Sequence, residues 1–363
     1  MNVFRNFFPA RCFLGRETHN YSIRVVANRQ ITGGELKLVL EQLGIPANIA
    51  ILVASLIVLM KASSLAVNNS VNLASATGLG KTKIGFLLVA FSTSLPELFV
   101  AIFAVGDPQA VGISIGNVLG ANIVNICMIL GIGFIIIAIK YPESTRFFTK
   151  MANEEVGSLN FGLLVSSLVP LILLFTGFPS QIVGVFLIAL FAYNTYELFK
   201  KKKTVEEISD DSEKRALWKY AAKAVLGISG VVACAYFIVE SASFLALSAG
   251  VPAVVVGGTV VAIGTTIPEL TTSITAFRRG FIDLALGNIV GSCFLNITLI
   301  LGFTFLLSPV NVNLSAYSGL VFFSLLSTIM LSYILTNAKA GKREGIILLA
   351  IYLVFLASTL GAI

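Results

Sequence analysis

Thr93-Ser94-Leu95-Pro96-Glu97-Leu98 returns later in the chain as Thr265-Thr266-Ile267-Pro268-Glu269-Leu270, each time inside a strongly apolar stretch. A second matched element follows each copy: Gly116-Asn117-Val118-Leu119-Gly120-Ala121 with Asn125, then Gly287-Asn288-Ile289-Val290-Gly291-Ser292 with Asn296. An ionised carboxylate at membrane depth is costly unless a cation, a proton or a water-filled cavity compensates it. A bland reading exists, a protonated Glu that ties two helices together, but the repetition of the acid favours function. Two halves of one polypeptide place the same chemistry in hydrocarbon, which is how internally repeated transporters build a site.

Working outward, the chain is 56% hydrophobic and only 12% charged, outside the usual soluble range. Its apolar stretches are long enough to cross a bilayer. Spans are expected at 46–67, 83–105, 112–138, 158–177, 180–199, 220–247, 252–277, 283–307, 314–336 and 344–361. After residue 45 every basic residue except Lys61 falls at alternate connections: Lys81 and Lys83; Lys140, Arg146 and Lys150; Lys200 through Lys223; Arg278 and Arg279; Lys339, Lys342 and Arg343. Cytoplasmic loops retain Lys and Arg, so both termini are expected outside and the charged 200–219 segment inside. The first Glu helix then runs outward and the second inward. The expected fold is an all-α membrane protein of ten transmembrane helices arranged as two inverted five-helix repeats. The repeats occupy 46–199 and 220–363, joined by a charged cytoplasmic linker at 200–219 and preceded by a tail, 1–45, with no assigned role.

The net charge of +7 is largely this topology signal, so a lipid bilayer and not nucleic acid is the expected partner. Cys12, Cys127, Cys234 and Cys293 lack metal-ligand spacing and are expected as free thiols. The only histidine, His19, lies in the tail, so any proton coupling must use carboxylates. A short surface helix around 33–44 is one reading of the tail. Glu240 and Lys61 are expected in structural or access-path roles, and Asp107 and Asp283 at span ends.

A hard cation such as Ca2+ takes about six to eight oxygen ligands, more than two carboxylates supply. Proline in a helix lacks an amide donor and clashes with the carbonyl four residues back, so Pro96 and Pro268 free carbonyls near Ser92 and Thr93, and near Gly264 and Thr265. Thr93 and Ser94 lie on the helical face of Glu97, and Thr265 and Thr266 on that of Glu269. Asn117, Ala121 and Asn125 form a stripe along one helix face, as do Asn288, Ser292 and Asn296. The glycine pairs Gly116/Gly120 and Gly287/Gly291 permit close helix approach.

At these residues the chain resembles the Ca2+/cation antiporter superfamily, most closely its sodium/calcium exchanger branch. The likeness rests on the two Pro-Glu motifs and the two Gly-Asn motifs and spans roughly 46–363. It implies a central Ca2+ site formed by Glu97, Glu269 and backbone oxygens at Thr93 and Thr265, ringed by Asn125 and Asn296. Sodium sites are implied on either side, one using Ser94 and the carbonyl of Ala90, the other Thr265, Ser292 and the carbonyl of Ala262. Asn296 argues against potassium co-transport. The family usually has Ser where this chain has Ala121, so one flanking site loses a hydroxyl while its counterpart keeps Ser292.

These residues point to Ca2+/Na+ antiport by alternating access, with H+/Ca2+ antiport the alternative. No enzymatic activity or cofactor is expected, and no phosphate-binding Gly-Lys-Ser/Thr loop is present. A passive cation channel and a hydrolase with two carboxylates are the rivals from other classes. The channel would carry Ca2+ without a counter-ion; the hydrolase needs two acids sharing a proton.

Overall fold

The computed structural model describes residues 40, 42–76, 90–141, 160–171, 180–200, 211–308, 315–337, 341–359 and 361. Among them every regular element is helical. In chain order they are α1 (Gly44–Ala76), α2 (Leu95–Ala104), α3 (Pro108–Lys140), α4 (Asn160–Leu171), α5 (Ser180–Lys200) and α6 (Asp211–Ala249). There follow α7a (Ala253–Thr265), α7b (Ile267–Arg278), α8 (Ile282–Leu307), α9 (Ser315–Asn337) and α10 (Lys342–Thr359). Five helical stretches among the described residues are individually long and apolar enough to cross a membrane: Gly44–Ala66, Pro108–Lys140, Leu217–Ala249, Leu284–Leu307 and Tyr317–Asn337. The pair α7a and α7b, bent by 47°, is long and apolar enough only when taken together, as a broken span or a re-entrant loop. The chain is thus an integral, multi-pass membrane protein. The 33–44 helix reading, Cys12, His19 and the basic residues at 81–83 and 146–150 lie outside the described residues or, near residue 40, only at their edge.

Two helices run beyond the apolar stretches that mark their spans. Within the 200–219 linker, α6 begins at Asp211. The apolar stretch Gly44–Ala66 coincides with the expected span at 46–67, and α1 continues past it to Ala76, because no Gly or Pro interrupts it there, and Asn69 Nδ2 donates to the Leu65 carbonyl at 2.7 Å. Lys61, on this helix, is exposed. Asp107 does cap a helix end, accepting from Gln109 N at 3.0 Å ahead of Pro108.

The centre is built by backbone contact. A Cβ placed on Gly116 would lie 2.2 Å from the Val254 carbonyl oxygen, on Gly120 2.3 Å from that of Gly258, and on Gly257 2.2 Å from that of Ile113. Only glycine lets α3 and α7a approach so closely. Around this seam one apolar cluster, including Leu59, Ile113, Ile238 and Val261, ties α1 and α6 to the inner helices. A second, including Ile126, Phe134, Phe277 and Ile300, joins α3 and α8 to α9 and α10. Between α1 and α6 the contact surfaces are small, with Gly227 against Ala66 and Gly230 against Ala62.

Short turns link each acid helix to its Asn helix, and each turn contains a left-handed glycine, Gly106 (φ 85°) or Gly280 (φ 79°). The far ends are pinned by polar contacts. Gly106 N donates to Ser308 Oγ at 3.4 Å, bringing the end of α2 to the end of α8. Lys140 Nζ donates to the Arg278 carbonyl at 2.5 Å, bringing the end of α3 to the end of α7b.

The seam makes a direct prediction. Gly116→Ala should destabilise the purified protein by about 1–3 kcal/mol, as overpacking of a filled interface does, read as a fall in melting temperature in detergent. Gly319→Ala, where a Cβ meets nothing within 4 Å, should leave it unchanged.

Candidate cation site

Both acids sit just past a break in their helix. Ser94 (φ −84°, ψ 8°) and Thr266 (φ −83°, ψ 4°) leave the helical well, and a proline then opens the next helix. Proline is well placed there because the missing N–H would be unpaired anyway. Hydrogen bonds carry the chain across each break, Ser94 N to Ala90 O (3.0 Å) and Leu98 N to Ser94 O (3.1 Å), with Thr266 N to Ala262 O (3.1 Å) and Leu270 N to Thr266 O (2.9 Å) in the second copy. Glu97 and Glu269 therefore occupy the first turns of α2 and α7b, where exposed amides and the macrodipole favour negative charge. Both are fully buried.

The breaks send the hydroxyls across the molecule. Sequence spacing places Thr93 and Ser94 beside their own acid, Glu97; in the structure they serve the other one. Ser94 Oγ donates to Glu269 Oε1 at 3.3 Å. Thr93 Oγ1 lies 3.2 Å from both Asn288 Oδ1 and Ser292 Oγ, and 3.1 Å from the Ala90 carbonyl. Reciprocally, Thr265 lies beside Glu97 and donates to Asn117 Oδ1 at 2.9 Å. Each carboxylate thus faces a hydroxyl from the other half, and the two acids are neighbours.

The exchange is unequal. Thr93 has Ser292 within reach, whereas Ala121 at the matching place offers Thr265 no hydroxyl. Thr266 departs from Ser94 as well: its hydroxyl is held by its own backbone, donating to the carbonyls of Ala262 (2.8 Å) and Ile263 (3.2 Å). The Ala262 carbonyl thereby accepts several bonds within its own turn.

What remains is a set of buried polar atoms with no hydrogen-bond partner. It comprises both oxygens of Glu97, Oε2 of Glu269, Oδ1 of Asn296, Nδ2 of Asn117 and both polar atoms of Asn125. Buried polar groups are ordinarily satisfied, so this concentration of acceptors marks a place where something else supplies the partner. Among the described residues no three His, Cys, Asp or Glu side chains converge. A cation held here has two charged ligands at most and takes the rest from hydroxyl, amide and carbonyl oxygen, a donor set suited to hard ions. Cys127, Cys234 and Cys293 are free and buried.

This arrangement has a family. Residues 47–200 and 219–361 match the model described as sodium/calcium exchanger protein. The chain belongs to that family. It is 29% identical over 353 residues to the sodium/calcium exchanger MaX1 of Methanosarcina acetivorans, covering 86% of this chain and 98% of that relative. It is also 29% identical over 330 residues to the inner membrane protein YrbG of Escherichia coli, covering 86% and 96%. Solved structures of the sodium-calcium exchanger NCX_Mj superpose on it. The form soaked with 100 mM Na+ and 10 mM Sr2+ gives a TM-score of 0.62 at 26% identity, covering 87% of this chain and 99% of that one. Exchangers of this kind are membrane transporters of ions.

Two polar residues beside the site escape a reading of the repeats alone. Asn122 and Ser273 have no polar counterparts, since Cys293 and Ala101 stand at the matching places. Ser273 Oγ accepts from Asn288 Nδ2 at 3.0 Å, while Asn117 Nδ2 has no such partner. Their signal was present, Asn122 inside the Gly-Asn motif and Ser273 one turn past Glu269.

Thr265→Val should test the cross-half bonding. It keeps shape but strands Asn117 without its donor, and should lower stability in detergent by about 1–3 kcal/mol. Thr336→Val, whose exposed hydroxyl returns only to its own helix, donating to the Ser332 carbonyl at 2.8 Å, is the control and should shift melting far less.

Proposed function

We propose that this protein is a secondary active antiporter that exchanges Ca2+ for Na+ across its membrane by alternating access. The observation that carries the reading is the facing pair Glu97 and Glu269, with three of four carboxylate oxygens unpartnered at full burial. Ca2+ neutralises both charges at once. Thr93 and Thr265, Asn125 and Asn296 complete its shell. Na+ ions use the same acids with Ser94 and the carbonyl of Ala90 on one side, and Thr265, Ser292 and the carbonyl of Ala262 on the other. Thr266 contributes backbone only, its hydroxyl being engaged.

Coupling follows from electrostatics. Two unscreened carboxylates held together in apolar surroundings repel each other and cannot be carried empty at low cost. Departure of Ca2+ therefore requires monovalent cations to take its place. Cation binding to a shared pair of acids distinguishes an exchanger from a passive pore.

Ten spans in two inverted five-helix repeats are the proposed topology. The contact of Gly106 with Ser308 places the ends of α2 and α8 together, and that of Lys140 with the Arg278 carbonyl does the same for α3 and α7b. Since α3 turns back on α2 through a short loop, these contacts support antiparallel courses for α2 and α7. They also support a cytoplasmic side bearing Lys140 and Arg278, with the termini opposite. The smooth Ala and Gly contact of α1 with α6 favours movement of this pair as a unit over the inner helices.

A specific observation supports the H+/Ca2+ alternative as the second reading. Ala121 leaves the Thr265 side without the hydroxyl that Ser292 gives Thr93, which weakens a sodium site, while protons need only the acids.

In liposomes, radiolabelled Ca2+ uptake should be driven by an outward Na+ gradient, and Glu97→Gln or Glu269→Gln should reduce it to the level of protein-free vesicles. Uptake that responds only to a proton gradient with Na+ absent would instead select the second reading. Ala121→Ser should lower the Na+ concentration giving half-maximal exchange, by about 2–10-fold if one added oxygen ligand is worth what a single hydrogen bond is.

A further inference from the structure

Asn122 lies on α3, buried completely, and bridges to α8 through both of its polar atoms. Its Nδ2 donates to the Cys293 carbonyl at 3.2 Å. A main-chain carbonyl only accepts, so this bond sets the direction of the amide: nitrogen toward Cys293, oxygen away. That oxygen accepts from Asn296 Nδ2 at 3.0 Å. Asn296 is thereby oriented too, with its nitrogen spent on Asn122 and its Oδ1 left buried and unpartnered. Asn296 stands one turn beyond Ser292 on the same face of α8, the face on which Ser292 meets Thr93.

The other half has a weaker anchor. Cys293 occupies the place that matches Asn122, and its thiol lies within reach of the Asn125 amide, but a thiol is a weak partner where an amide both donates and accepts. No bond of ordinary geometry holds either polar atom of Asn125, which matches Asn296. Both asparagines lie where a π-helical segment widens the helix, Val124–Leu130 in α3 and Asn296–Ile300 in α8. Such segments are frequent at functional sites.

We propose that Asn122 is a positioning residue that locks Asn296 with its side-chain oxygen presented to the transported cation, while Asn125 stays rotatable and turns its oxygen inward only when a cation is bound. The proposal rests on the cation-exchange reading and adds a division of labour within it. One amide is a preorganised ligand and the other adapts, which lets one shell serve ions of different charge. Preorganisation strengthens binding by removing an ordering cost that would otherwise fall at the moment of association.

The test is a double-variant comparison on the full chain. Asn122→Leu keeps the side chain's shape and removes both bonds; Asn296→Ala removes the ligand oxygen. Ca2+ binding to purified protein is measured by titration calorimetry, and the Ca2+ concentration giving half-maximal exchange in liposomes is measured beside the maximal rate. Asn122→Leu should weaken Ca2+ binding by about 3–10-fold, the equivalent of one or two lost hydrogen bonds, with a larger effect on half-saturation than on maximal rate. Combined with Asn296→Ala it should add almost nothing, because its effect passes through Asn296. Additive losses, or unaltered Ca2+ binding in Asn122→Leu, would overturn the proposal. Should Asn122→Leu not yield a monodisperse protein, Asn122→Ser is read by the same two criteria. Absence of Ca2+ binding by the unsubstituted protein would overturn the exchanger reading itself, so the two failures are separable.

Discussion

Two glutamates held together in apolar surroundings with most of their oxygens unpartnered set the terms for everything else in this molecule. Bringing an ion of carboxylate size out of water carries a penalty of several kcal/mol even after relaxation, and placing a second beside it adds repulsion. In the proposed reading the compensating partner is the cargo. The broken helices, the prolines at their restarts and the first-turn placement of both acids all reduce the penalty, since helix N-termini favour negative charge.

The second constraint is geometric. For hydroxyls of one half to reach the acid of the other, the inner helices must pack at backbone distance. The glycine seam of Gly116 and Gly120 against Gly257 and Gly258 provides that approach. Close packing leaves the seam little room to shift. In the proposed mechanism this seam holds the ions, and the pair α1 and α6, in contact through Gly227 and Ala66 and through Gly230 and Ala62, moves over it.

The departures from symmetry are where this chain acquires its own character. Thr93 meets Ser292 as well as Asn288, whereas Thr265 meets Asn117 with no hydroxyl beside it; Asn288 is held by Ser273, whereas Asn117 Nδ2 has no partner. Both differences stem from alanine in the first half, Ala121 and Ala101, opposite serine in the second. The polar wall from the second half is therefore better anchored than that from the first. In the proposed exchange, where one shell serves two kinds of ion, these unequal walls supply one firm and one yielding side.

Read alone, the sequence determined the helical membrane class, the pairing of Pro-Glu with Gly-Asn motifs and the identity of the two acids. Those features are local or compositional: hydrophobic length, a proline's missing amide and a charge in an apolar run leave their mark residue by residue. Hydropathy marks spans and not helix ends, so the continuation of α1 to Ala76 and the start of α6 at Asp211 depend on weak propensities and end effects that leave no apolar signal. Which acid each hydroxyl serves was decided only by tertiary structure. Spacing along one helix assigns Ser94 to Glu97, but the break at Ser94 rotates it onto Glu269. The linking of Asn122 to Asn296 was equally hidden, since residues 174 positions apart become neighbours only when two helices pack, and no pattern within either helix records that meeting.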